Sequence, residues 1–346
     1  MRALQYTSVA GPVHVVDLPV PAPEQDGALI SVTRTGLCRS DWHGWQGHDS
    51  DTVLPCVPGH EFTGTVVEAP ADPGLVGSRV VVPFVMACGR CPECVRGSAQ
   101  ICRAQRQPGF TDPGSFAEFV AVPAAAVNVV PLPDEVTDDA AAALGCRVAT
   151  AWRALTAVAQ VEPGESVLIL GAGGVGLAAV QIAQALGATP IAADISAHAL
   201  SIAESLGAQT VSLTPHDSEE EIAGQVRTAY PEGVDVSVDA LGSPALAAAG
   251  VLALRRGGRH VQVGLLDAPR TPLPLGRIIA HEIALLGSHG MAASDYPALL
   301  DAVAAGRLDP AALVTATLDL AQAATALVTM TDPGTPRGIR LIDPTR

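Results

Sequence analysis

Four of the chain's seven cysteines fall in one short stretch, CGRCPECVRGSAQIC (88–102). Cys88, Cys91, Cys94 and Cys102 follow C-x2-C-x2-C-x7-C. Four thiolates on a turn-rich lobe complete a tetrahedral zinc shell and leave no position open for a substrate. An iron–sulfur cluster is the rival reading, but bacterial ferredoxin spacing closes with C-x3-C-P. Here the last gap is seven residues and Arg103 follows Cys102. A structural zinc is expected in a lobe spanning about 86–104, so the reacting centre lies elsewhere.

The other metal-type residues are scattered. Cys38 lies in GLCRSDWH, His60 and Glu61 in VPGHEF, Cys146 in GCRVATAW, and Cys56 stands alone. Spacing by itself does not join them into a site. Two cysteines and one histidine are nonetheless a ligand set that leaves zinc a fourth, open position.

A second pattern points to a phosphate-bearing ligand. GAGGVG places Gly171, Gly173 and Gly176 in G-x-G-x-x-G spacing, a weak signal alone in a chain with 34 glycines. Here it follows the apolar run SVLIL (166–170) and opens the helical pattern VGLAAVQIAQALG (175–187), which is the context a dinucleotide site requires. The first glycine makes the tight turn, the second admits the pyrophosphate, and the third lets helix and sheet pack closely. Gly174 and Val175 complete the loop at a helix N-terminus, whose positive dipole end faces the phosphates. Asp194 ends the next strand, where a carboxylate accepts the adenosine ribose hydroxyls and repels a 2′-phosphate. NAD is therefore expected over NADP.

These residues need a frame. From about residue 147, apolar strands alternate with helices: SVLIL, TPIAAD (189–194), AQTVSL (208–213), VDVSVDALG (234–242), RHVQVGLL (259–266) and IALLGS (283–288). Six such strands predict a doubly wound parallel sheet. Before them, β-like runs at 28–36, 64–69, 78–84 and 116–122 are separated by turn residues and read as a mostly-β, barrel-type domain. GIRLID near the C-terminus reads as a strand that rejoins the first domain. The expected class is α/β, with one domain at 1–146 plus 290–346 and a second at 147–289.

Composition bounds the function. A chain of 346 residues, 48% apolar and 16% charged, builds two cores. A net charge of −15 argues against nucleic acid or an anionic membrane as partner. Apolar runs break before about 18 residues, no export-signal pattern is seen, and an odd cysteine count does not suggest a disulfide framework. A soluble, cytoplasmic protein is expected.

GLCRSDWH, GHE, the four-cysteine lobe, GCRVATAW and GAGGVG occur in the order found in the medium-chain zinc-dependent alcohol dehydrogenases. The resemblance spans nearly the whole chain. It implies a GroES-like β-barrel catalytic domain around an inserted Rossmann domain, with the active site in the cleft between them. Carried over by position, Cys38, His60 and Cys146 match the ligands of a catalytic zinc, which with the structural one makes two zinc ions per subunit. Glu61 matches a neighbouring acid able to approach the metal, and Asp41 the carboxylate that orients the ligand histidine. Ser40 and His43 match a proton relay that ends at solvent. Arg39 and Arg340 resemble pyrophosphate contacts, Thr150 a side chain near the nicotinamide, and Phe84 a pocket-lining aromatic. Trp42 and Trp45 could shape the pocket, with core packing an equal reading. Cys56 matches no role and is expected to be a buried thiol.

Many polyol dehydrogenases of this superfamily carry an acid where Cys146 stands, which moves the reading toward simple alcohols and aldehydes. The resemblance thus implies reversible transfer of hydride between an alcohol and NAD, with polyol or amino-alcohol oxidation as the alternative and a non-catalytic NAD- or zinc-binding protein as a remote one. It also implies a homo-oligomer, a tetramer ahead of a dimer.

Overall fold

The first two apolar runs pair with each other: β1 (Arg2–Tyr6) and β2 (Val13–Asp17) form an antiparallel ribbon. The rest of the N-terminal sheet is organised on β3 (Ala28–Leu37). β3 pairs antiparallel with β4 (Phe62–Glu68), which pairs with β5 (Arg79–Val82). The first part of β3 also pairs with β6 (Phe119–Val122), and β5 pairs with the short β7 (Val130–Pro131). Ile30, Val32, Phe62, Val66, Val80, Val82 and Val120 fill one core. Their β-branched and aromatic side chains suit a pleated surface buried on one face.

The chain then builds a six-stranded sheet from β8 (Ser166–Leu170), β9 (Thr189–Asp194), β10 (Gln209–Ser212), β11 (Val234–Asp239), β12 (Leu254–Gln262) and β13 (Ala284–Gly287). Every neighbouring pair is parallel and the order is β10-β9-β8-β11-β12-β13. Strand direction of travel reverses between β8 and β11, the switch point at which such sheets bind ligands. All five residues of β8 are buried, because a strand covered on both faces needs an unbroken apolar run. The helices of this unit include Gly174–Ala185 and Pro244–Ala253, which pack on β8, and Ala197–Ser205 and Glu219–Ala229. Two strands close the chain, β14 (Val314–Leu318) and β15 (Ile339–Ile342), and β15 pairs antiparallel with the end of β3, Arg340 opposite Leu37.

This computed structural model describes residues 1–266, 270–332, 334–335 and 338–346. They divide into two units, Met1–Ala149 with Gly290–Arg346, and Thr150–His289. The six expected strands of the second unit are all present in the order of a Rossmann sheet, and the class is α/β. β12 starts earlier than the sequence pattern indicates, at Leu254 rather than 259, with a register shift against β11.

Candidate active site

β3 ends at Leu37, and Cys38 is the N-cap of a short helix, Arg39–Trp45. Asp41, three residues on, returns its carboxylate to the start of the helix: Cys38 N–H donates to Asp41 Oδ2 at 2.8 Å. The other oxygen, Oδ1, accepts from Gly59 N–H at 3.1 Å and lies 2.9 Å from His60 Nδ1. One buried carboxylate thereby caps the helix and fixes the histidine ring. With Nδ1 so engaged, His60 Nε2 is buried and has no hydrogen-bond partner among the described residues. Burial opposes a cation on this ring, but Asp41 outweighs it and lifts the pKa above the ordinary histidine range.

Cys38, His60 and Cys146 offer donor atoms that all lie within 4.8 Å of one another. Donation from the Cys146 thiol holds Cys38 well below the usual thiol range, with burial opposing and His60 assisting. An orphaned imidazole nitrogen facing two sulfurs is the donor chemistry of a three-ligand metal site, so the residues present fit zinc. Phe84 packs by His60 in a T-shaped arrangement and Phe110 in a tilted one, with centroids 6.2 and 5.4 Å away.

Glu61 is fully buried, and Arg147 encloses it. The Arg147 N–H reaches Oε1 at 2.8 Å, Nε reaches Oε2 at 2.7 Å, and Nη2 also binds Oε2. Burial pushes the Glu61 carboxyl up while Arg147 opposes it. Arg147 is raised despite its burial, because Glu61 and Cys38 stabilise its charge. Removing one partner of such a pair costs about 3–5 kcal/mol. The sequence reading missed Arg147. Its signal was a lone charge inside the apolar run AAALGCRVATAW.

Ser40 Oγ lies 3.8 Å from Cys38 Sγ. His43 Nδ1 lies 2.9 Å from Nδ1 of His48, an exposed residue that the sequence reading also missed. Trp42 stacks edge-on against both histidines and carries Arg39 over its ring at 5.8 Å. Trp45 is a core residue, donating to Gly11 O at 2.8 Å. Cys56 is a buried thiol that donates to Gly109 O at 3.2 Å. Arg340, on β15, is half-buried, and burial and the nearby Arg147 lower its pKa.

In the four-cysteine lobe, Sγ of Cys91 lies 3.4 Å from Cys94 and 3.7 Å from Cys102. Thiolates around one zinc at about 2.3 Å stand roughly 3.8 Å apart, and these two separations come near that spacing. Backbone N–H groups are aimed at them: those of Arg90 and Cys91 draw the Cys88 thiol down to about 6. All four donors lie within 4.8 Å of one another, and the residues fit a closed zinc site.

The second unit holds the glycine loop at the end of β8. Gly171 has φ +95°, a backbone state that glycine adopts readily. A Cβ on Gly176 would collide with the Gly171 carbonyl, whereas one on Gly173 meets nothing within 4 Å. Open space at the second glycine, above a helix N-terminus, is a cradle of the kind that would suit a pyrophosphate. Gly174 and Val175 begin that helix. Asp194 accepts from Ala172 N–H at 2.7 Å and Ser196 N–H at 2.8 Å, so the carboxylate braces the same loop. Thr150 is buried and its hydroxyl has no partner among the described residues.

Comparison with known proteins bears on both units. Residues 24–134 match the family described as alcohol dehydrogenase GroES-like domain, and residues 174–305 that described as zinc-binding dehydrogenase. An alcohol dehydrogenase of Geobacillus stearothermophilus is 32% identical over 314 residues, covering 89% of this chain and 90% of that protein. A D-arabitol-phosphate dehydrogenase of Enterococcus avium is 31% identical over 305 residues, covering 87% and 85%. Among solved structures, the alcohol dehydrogenase TADH from Thermus sp. ATN1 superposes with a TM-score of 0.89 at 32% identity, covering 99% of each chain. A zinc-binding dehydrogenase from Sinorhizobium meliloti 1021, bound to NADP, gives 0.88 at 29% identity and 99% of each chain.

Proposed function

The chain belongs to the medium-chain zinc-dependent dehydrogenase family, and on that premise we propose that it is an NAD-dependent alcohol dehydrogenase. The proposed reaction is reversible hydride transfer between a primary or secondary alcohol and NAD, giving an aldehyde or ketone. The observation that carries it is the unpartnered Nε2 of buried His60, facing Cys38 and Cys146. Zinc held there supplies a Lewis acid that makes an alcohol hydroxyl a far stronger acid. Cys38, His60 and Cys146 are the residues that would hold the ion. Asp41 fixes the His60 ring and increases its basicity as a ligand. Ser40, two residues after Cys38, takes part in removing the alcohol proton, and His43 passes it to solvent as a general acid–base. Glu61 acts beside the ligand histidine. Phe84 and Trp42 line the substrate pocket. Cys88, Cys91, Cys94 and Cys102 hold a second, structural zinc.

For the cofactor, Gly171, Gly173, Gly174, Val175 and Gly176 take the pyrophosphate, with Arg39 and Arg340 as its cationic contacts. Thr150 stands by the nicotinamide. Asp194 takes the adenosine ribose, and its charge favours NAD; a relative bound to NADP makes this the point to test first. Polyol or amino-alcohol oxidation is the second reading, supported by relatives that include the D-arabitol-phosphate dehydrogenase and an L-threonine 3-dehydrogenase of Streptomyces coelicolor, 32% identical over 322 residues that cover 91% of this chain and 92% of that protein.

No helix among the described residues is long and apolar enough to cross a membrane, and we place the protein in the cytoplasm. We propose a homotetramer. β13 is the outer strand of its sheet, with Leu285 exposed, and offers an edge for pairing. Light scattering on the purified protein tests the assembly.

Initial rates with NAD and with NADP, over primary, secondary, benzylic and polyol alcohols and L-threonine, test the function. We expect NAD-linked activity on simple alcohols that a zinc chelator abolishes. Preference for NADP refutes the role given to Asp194, and preference for a polyol or threonine replaces the first reading by the second.

A further inference from the structure

One buried ion pair touches the chain beside all three donors of the Cys38, His60 and Cys146 group. Glu61 follows His60, Arg147 follows Cys146, and Leu37 precedes Cys38. Arg147 binds Glu61 through its backbone N–H, Nε and Nη2, and its Nη1 donates to Leu37 O at 3.3 Å. The carbonyl of Glu61 in turn accepts from Gly36 N–H at 2.7 Å and from Thr35 Oγ1 at 3.2 Å. The three donors arrive on separate elements: the end of β3, the lead into β4, and the start of the helix Arg147–Arg153. The pair is bonded to all three.

Room for it is built in. A Cβ on Gly36 would stand 2.5 Å from both Arg147 Nη2 and Glu61 Oε2, and one on Gly145 would stand 2.9 Å from Glu61 Cα. Arg147 is 5% exposed and Glu61 0%. A charge pair so deep carries a desolvation cost that an apolar pair of similar volume avoids, and replacing such pairs often leaves stability unchanged or raised. Stability alone therefore does not account for its presence.

We propose that Arg147 and Glu61 are positioning residues, forming a clip that sets the separation and orientation of Cys38, His60 and Cys146 for one divalent metal. The proposal rests on the zinc-site reading above. It requires the guanidinium specifically: the planar fork reaches Glu61 Oε2 and Leu37 O together, whereas a lysine ammonium is a single point charge.

The test compares wild-type protein with Arg147→Lys, Glu61→Gln and the double variant Glu61→Leu/Arg147→Met, whose apolar pair preserves volume. Each is loaded with zinc, and metal transfer to a chromogenic chelator is followed. Cobalt(II)-substituted samples report the thiolate-to-metal charge-transfer bands. The expected result is release from the tridentate site about 10–100-fold faster in every variant, the range set by loss of groups that support metal ligands. The cobalt bands lose intensity and shift, while release from the four-cysteine lobe keeps the wild-type rate. A folded double variant with wild-type release and spectrum overturns the proposal and leaves the dehydrogenase reading in place. Wild-type release in Arg147→Lys overturns the geometric requirement, since charge alone would then suffice. If wild-type protein oxidises no alcohol with either nicotinamide cofactor while the variants still release metal faster, the clip stands and the dehydrogenase reading falls.

Discussion

Replacing Asp41 by Asn keeps the side chain's shape and exchanges one acceptor oxygen for an NH2 donor. In the native arrangement Oδ2 accepts from Cys38 N–H at 2.8 Å, and Oδ1 serves both Gly59 N–H at 3.1 Å and His60 Nδ1 at 2.9 Å. The amide has two ways to sit. With its oxygen toward Gly59 and His60, its NH2 opposes the Cys38 N–H, and one helix-capping bond is lost. With its oxygen toward Cys38, two donors are left facing a donor. The first orientation costs less: an N-cap substitution costs about 0.5–2 kcal/mol, and a buried, unsatisfied N–H about 1–3 kcal/mol. These describe the same N–H and are not summed, so the expected loss is about 1–3 kcal/mol. Metal binding suffers separately, because a neutral amide increases the basicity of the imidazole less than a carboxylate does. Loss of such a partner weakens affinity about 10–100-fold, equivalent to about 1.4–2.8 kcal/mol. Urea unfolding of metal-free protein measures the first quantity, and competition with a chelator of known affinity the second. If Asp41→Asn holds zinc as tightly as wild type, Asp41 does not orient His60 for a metal, whatever the stability result.

A Gln at His43 should slow turnover most near neutral pH and be partly relieved at high pH; kcat/KM profiles that superimpose on wild type remove His43 from the relay. Gly176→Ala forces a Cβ into the Gly171 carbonyl and should cost about 1–3 kcal/mol as an overpacked site, whereas Gly173→Ala should leave the urea midpoint unchanged and weaken NADH binding, measured by fluorescence titration. Equal NADH affinity in Gly173→Ala and wild type would move the pyrophosphate away from this loop. Buried His260 lies 2.8 Å from Ser237 Oγ, and burial lowers its pKa below 6.5. The unfolded chain takes up this proton first, so the contribution is complete above about pH 6.5 and declines as pH falls through the folded value. His260→Asn should flatten the loss of urea resistance between about pH 7 and 5, and an unaltered pH slope refutes the assignment.

The second unit was legible because its physics is local. A parallel strand buried on both faces must be an unbroken apolar run, as in SVLIL, and the glycine turn after it is set by backbone sterics within a few residues. β1 and β2 were not legible, since VHVVD is half-exposed and shows no clean alternation. The early start of β12 was hidden by LRRGGRH, whose two glycines and three arginines read as a loop. In the first unit, the four-cysteine lobe is contiguous and its spacing speaks directly. Cys38, His60 and Cys146 come from three elements, and only a resemblance joined them before the fold did. Arg147 and His48 escaped for the same reason, because a side chain's partner in space leaves no mark on spacing along the chain. Trp45 could be separated from Trp42 only by seeing which one is buried in the core that both border.

The pairing of β15 with β3 also fixes an order of events during synthesis. β3 is made well before the strand that pairs with its end, Arg340 against Leu37. Some 300 residues separate them, about 15–60 s at about 5–20 residues per second. Throughout that interval the edge of β3 that leads directly into Cys38 is without its partner, a template open to any extended chain. Glu61 and Arg147 are both made before Ile339, so the clip beside the three donors can close before the sheet does. A truncation before Ile339 is expected to leave that edge of β3 bare while Glu61 and Arg147 are still present to pair.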